Sequence, residues 1–108
     1  MRSYGPLRVK HLLDAPKESP FSALLVSLRP GGSHPPIRHD KTWEFFLILR
    51  GSNIATIGGR RRTLRAGDYA YMPPGVEHAF HAGPRGVEVL VFFAPAMDFA
   101  RPDIVGGR

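Results

Sequence analysis

The chain contains no cysteine, which excludes disulfides and thiolate metal ligation. Any metal must then be held by imidazole, carboxylate, water or substrate. No apolar run approaches the ~20 residues that a membrane helix needs. The longest runs, Trp43 to Leu49 and Val89 to Met97, are interrupted by Glu44 and Pro95. The opening Met1-Arg2-Ser3-Tyr4-Gly5-Pro6 lacks the apolar centre of a secretion signal, so a cytoplasmic location and no membrane partner are expected. No window keeps a helical period over three turns without meeting Gly or Pro. Only Asp98 to Arg101 reads as a single helical turn. Acidic residues are scarce, nine against fifteen basic ones, for a formal charge of +6. Such an excess could suit nucleic acid. Yet only Arg60, Arg61, Arg62 and Arg65 cluster, beside Gly58-Gly59, and charge at a hairpin tip is normally just solvated. No helix-turn-helix pattern accompanies them, so nucleic acid is not the expected partner.

What is present is punctuation. Twelve Gly and eleven Pro divide the 108 residues into short segments rich in Val, Ile, Leu, Phe and Tyr. One domain of antiparallel strands follows, rolled into a sandwich or barrel. The expected strands are Leu7–Leu13, Ser22–Leu28, Trp43–Leu49, Asn53–Ile57, Arg61–Leu64, Tyr69–Met72, His78–Ala82 and Val87–Phe93. Gly58-Gly59 supplies the positive φ of a two-residue hairpin. Arg50-Gly51-Ser52 closes the strand before it. Pro73-Pro74-Gly75 favours a type II turn. Pro95 ends the last strand, and the tail from Ala96 to Arg108 is either loosely ordered or docked on the barrel mouth. Alternation puts Glu44, Phe46 and Ile48 on one face and Phe45, Leu47 and Leu49 on the other. With both faces apolar, the strand needs cover on both sides. A homodimer is therefore expected, with Leu7, Val9 and Leu13 as further interface candidates.

Three side chains carry the chemistry: His39 and Glu44, with four residues between them, and His78 much further on. Two imidazoles and one carboxylate suit a divalent transition metal with open coordination positions. A carboxylate within an apolar strand also needs a metal, a cation or a proton to offset its burial. From Gly31 to Gly51 the chain reads GGSHPPIRHDKTWEFFLILRG, and from Gly67 to Ala82 it reads GDYAYMPPGVEHAFHA. These stretches resemble the two cupin motifs, G-x5-H-x-H-x4-E-x6-G and G-x5-P-x-G-x2-H-x3-N. Gly31, His39, Glu44 and Gly51 match the first, and Gly67, Pro73, Gly75 and His78 match the second. Ile37 stands where the first motif has its first His, and Ala82 where the second ends in Asn.

The resemblance implies a single all-β jelly-roll domain over residues 1–108, a double-stranded β-helix commonly dimerised. It also implies that His39, Glu44 and His78 hold Fe, Mn, Ni, Zn or Cu inside the barrel. The missing imidazole at Ile37 weakens such a site but leaves positions for water, O₂ and a small chelating ligand. His34 is the candidate to fill the gap, provided Pro35-Pro36 folds the chain back. His81 has the opposite parity to His78 and should face outward, and His11 reads as a surface or interface residue. Ile37, Phe46, Ile48 and Phe80 are the expected pocket walls. Two functions stay open. One is a metal-dependent enzyme of dioxygenase, isomerase or lyase type acting on a small molecule. The other is a metal-free binding or sensing module in which Ile37 has converted the site to an apolar pocket.

Overall fold

The computed structural model describes residues 2–4, 7–13, 20–97 and 102–106. Nine strands are present among them: β1 (Arg2–Tyr4), β2 (Leu7–Leu13), β3 (Ser22–Leu28), β4 (Ile37–His39), β5 (Trp43–Ile57), β6 (Arg60–Arg65), β7 (Tyr69–Met72), β8 (His78–Ala94) and β9 (Ile104–Gly106). All pairings are antiparallel. The fold is all-β, as expected. The expected turn at Asp98–Arg101 lies outside the described residues.

Two strands are longer than the sequence suggests. Trp43–Leu49 and Asn53–Ile57 form one strand, and His78–Ala82 and Val87–Phe93 another. Arg50-Gly51-Ser52 does not close a strand. It is a corner with register shifts between Ile48 and Arg50 and between Gly51 and Asn53. Gly51 has φ +79°, and a Cβ there would run into the carbonyl oxygen of Gly86 on the facing strand. Gly86 also has positive φ, at +77°. This pair of glycines lets two backbones turn together at close approach.

The corner changes which residues face inward. Before it, Glu44, Phe46 and Ile48 are buried; after it, Asn53 and Ala55 are. On β8 the inward set changes from His78, Phe80 and Ala82 to Val87, Val89, Val91 and Phe93. A one-residue slip moves every later side chain to the other face. Each long strand therefore serves two sheet regions. The first half of β5 pairs with β7 and the last part of β8, while its second half pairs with β6 and the first part of β8. β3 extends the first region through β8, with β2 and β1 beyond it. β4 joins the second through the single pair Ile37↔His78.

The turns follow their chemistry. Gly58 and Gly59 have φ +57° and +80° between the paired Ile57 and Arg60. Gly75 has φ +87°, and Val76 N–H donates to Pro73 O at 3.2 Å. The tail is docked, since β9 pairs with β4. Leu24, Leu28, Phe46, Ile48, Val89 and Val91 dominate the core. Each such side chain contributes roughly 1.5–3 kcal/mol through burial. The opposite face of β5 and β7 stays open: Trp43, Tyr69 and Tyr71 are 50%, 62% and 60% exposed. There Trp43 stacks on Tyr71 and Phe45 on Tyr69.

Candidate metal centre

His39, Glu44 and His78 come from three strands and meet inside the barrel, all buried. β5 begins with Glu44 facing inward, opposite Met72 and Phe93. β8 begins with His78, just after the Pro73–Val76 turn. His39 ends β4, where Gly75 N–H donates to its carbonyl at 2.7 Å. Nε2 of His39 lies 3.1 Å from Glu44 Oε1, and Nε2 of His78 lies 3.4 Å from the same oxygen. The ligating atoms all fall within 4.8 Å of one another. Donors placed at ~2.0–2.2 Å from one ion are separated by roughly 3–4.4 Å, so these three fit a shared metal with modest adjustment.

The ring orientations support the same fit. His78 Nδ1 lies 3.4 Å from Val76 O, a long contact that still assigns the proton to that nitrogen and leaves Nε2 for the centre. His39 turns Nε2 to Glu44, while its buried Nδ1 has no hydrogen-bond partner. Burial opposes ionisation of Glu44, but hydrogen bonds from His39 and His78 and their charge outweigh it. The carboxyl is lowered from 4.5 to about 2. Burial likewise opposes protonation of His78, yet the bond and charge of Glu44 raise its pKa overall.

His34 approaches the site without joining the cluster. The chain does not fold back at Pro35-Pro36 but continues beside β8, with Ser33 bridged to His81 and Ile37 paired with His78, and His34 N–H donates to Phe80 O at 3.2 Å. Its ring stands edge-on to Phe80 at 5.1 Å and to His78 at 6.1 Å. Nδ1 donates to Pro35 O at 2.9 Å. Burial lowers its pKa against the opposing effect of that bond, which favours the neutral ring. Phe80 packs on His78 and Phe46, at 5.7 and 5.0 Å. Ile37 is half-buried and paired with His78, whereas Ile48 sits deeper in the core. His81 is exposed, and His11 is half-buried on β2.

Sequence reasoning missed two features. Asp103, just ahead of β9, accepts from Lys41 N–H at 2.7 Å and from the Thr42 hydroxyl at 2.9 Å, and its Oδ1 lies 3.7 Å from His39 Nδ1. No local signal ties it to residues some sixty positions earlier. The second concerns Ala82, which stands where the motif has Asn. Its cross-strand partner is Asn53. This buried amide accepts from His81 N–H at 3.1 Å, so a carboxamide is supplied from the facing strand. A separate open groove, lined by Arg50, Arg65, Arg85 and Glu88 among others, shares no lining residue with the cluster.

The cupin domain family matches residues 24–93, which include both motifs, all of β5 and all but the last residue of β8. The chain is a cupin. It is 36% identical over 96 residues to dimethylsulfoniopropionate lyase DddW of Ruegeria pomeroyi, covering 87% of this chain and 62% of that protein. It is 37% identical over 60 residues to quercetin 2,3-dioxygenase of Bacillus subtilis, covering 56% of this chain and 18% of that enzyme. The chain thus spans less than two thirds of the length of these curated relatives. In structure, this cupin is similar to KdgF from Halomonas sp., with TM-score 0.84 at 20% identity over 94% of this chain and 89% of the other. That likeness concerns the fold.

Proposed function

We propose that this cupin is a metal-dependent enzyme acting on a small molecule inside the barrel. His39, Glu44 and His78 would hold a divalent ion, drawn from Fe, Mn, Ni, Zn and Cu. The observation that carries the reading is the convergence of two Nε2 atoms on one buried carboxylate oxygen. A bound ion would supply Lewis acidity and open positions for a chelating ligand. The chain's own residues enclose that space. Phe80, packed on His78 and Phe46, would exclude water on one side, Ile37, paired with His78, would supply an apolar wall, and His34, edge-on to Phe80, would offer a polar group. Such a mixture of apolar wall and few polar groups suits a small polar substrate. Similarity to a dimethylsulfoniopropionate lyase and to a dioxygenase favours elimination or O₂ chemistry over other classes. Elemental analysis of protein purified without chelator tests the reading. Near-stoichiometric first-row metal is expected, and less than roughly a tenth of an equivalent of every such metal would refute it.

A second reading rests on a specific observation. Glu44 is already satisfied by both histidines, and the apolar Ile37 is the cross-strand partner of His78. A metal-free binding module would use that closed cluster as it stands. Ligand binding by chelator-treated protein, at undiminished affinity, would select it.

We further propose a homodimer that covers the outer face of β5 and β7. Trp43, Phe45, Tyr69 and Tyr71 form an uncharged stacked surface there, and a second copy would meet it without like-charge repulsion. Sedimentation at micromolar concentration is the check. A stable monomer would count against the dimer.

A further inference from the structure

We propose that Asp103 is the positioning residue for His39, and that the C-terminal strand thereby completes the metal centre. The inference rests on the reading of His39, Glu44 and His78 as metal ligands. β4 has three residues and meets β8 through one pair, Ile37↔His78. β9 pairs with all three: Ile37↔Gly106, Arg38↔Val105 and His39↔Ile104. The strand that carries a ligand is thus held largely by the tail.

Asp103 sits where this pairing begins. Its carboxylate is fixed by Lys41 N–H and the Thr42 hydroxyl, and its own carbonyl accepts from Asp40 N–H at 3.3 Å. The turn between His39 and Glu44 is therefore tied to the tail at three successive residues. Oδ1 is then presented 3.7 Å from His39 Nδ1. That nitrogen is buried and has no hydrogen-bond partner. The other rings against His39 are Phe93, which offers no acceptor, and His78, whose nitrogens face Val76 and Glu44.

The chemistry requires an acceptor at that place. An imidazole that gives Nε2 to a metal carries its proton on Nδ1. A carboxylate receiving that proton's hydrogen bond fixes both tautomer and ring plane, and loss of such a partner typically weakens metal affinity roughly 10–100-fold. Closing 3.7 Å to a hydrogen bond takes a shift of less than about 1 Å. A ligand set lacking one imidazole, at Ile37, depends more heavily on the orientation of those that remain.

The test compares Co(II) binding to wild type, Asp103→Asn and Asp103→Ala, by visible absorption against a competing chelator, with circular dichroism of the metal-free proteins. The expected order of affinity is wild type, then Asn, then Ala, with Ala weaker by at least tenfold and its absorption bands shifted. The Asn variant should recover part of the loss, because its amide oxygen still accepts. The metal-free variants should retain the wild-type strand signal. Affinity and bands matching wild type in both variants would overturn the proposal. So would loss of strand structure without metal, which would make Asp103 a fold-holding residue only. Failure of wild type itself to bind Co(II) would overturn the metal reading and this inference together, and is distinguished by that control alone.

Discussion

Glu44→Gln probes the centre most directly. The substitution keeps shape and removes charge. In the metal-free protein, Glu44 titrates at about 2 instead of 4.5. At 1.36 kcal/mol per pH unit, that corresponds to roughly 3 kcal/mol of stability at neutral pH. A carboxyl held below its ordinary value stabilises the fold above about pH 4.5, and the contribution disappears as pH falls through about 2. The Gln variant lacks this dependence. Its amide can still hydrogen-bond the two rings, so roughly 1–3 kcal/mol is the expected loss at pH 7. For a domain of this size that lowers Tm by about 4–8 °C per kcal/mol. The assay is urea unfolding of metal-free wild type and variant from pH 7 down to pH 2.5, followed by circular dichroism. The gap between them should be widest at pH 7 and close steadily below pH 4.5. With metal present it should widen further, since the variant also loses the anionic ligand. A variant as stable as wild type at every pH would refute the claim of an ionised carboxylate held by two imidazoles.

His78 has the opposite dependence. Its pKa is raised by Glu44, so its contribution to the metal-free fold is complete below 6.5 and lost as pH rises through the elevated value. A metal needs the ring neutral, so uptake near pH 6.5 should release protons, measurable in weakly buffered solution; no release would contradict the assigned roles. Gly51→Ala should destabilise the fold by at least ~2 kcal/mol in denaturant titration, because its Cβ meets the Gly86 carbonyl at a positive-φ position. A neutral outcome there would mean the corner is not rigid.

Much of the site was legible because ligand identity and strand parity are local properties. Glu44 shares a face with Phe46 and Ile48 and alternates with Phe45 ahead of the corner in β5, so its inward direction follows from period two. His39, Glu44 and His78 could be named from motif spacing. The corner was not legible in the same way. Gly51 reads as a strand stop, whereas the facing Gly86 turns that stop into a bend, and pairing across the fold is invisible to a local pattern. Asp103 was missed for a similar reason. It acts on Lys41, Thr42 and His39 across a separation that only the docked tail creates. His34 was the intermediate case: parity argued against it, but parity applies within a strand, and Pro35-Pro36 lies between strands.

β8 pairs with β3, β4 and β5. Before residue 78 leaves the ribosome, a growing chain can form only β5 with β6 and β7 and β2 with β1 and β3, none of which encloses a core. Closure therefore waits for β8, and the ordering entropy of distant segments is spent before burial repays it. β9 follows β8 in the chain and pairs with β4, so the strand that carries His39 is locked after the barrel around it has closed.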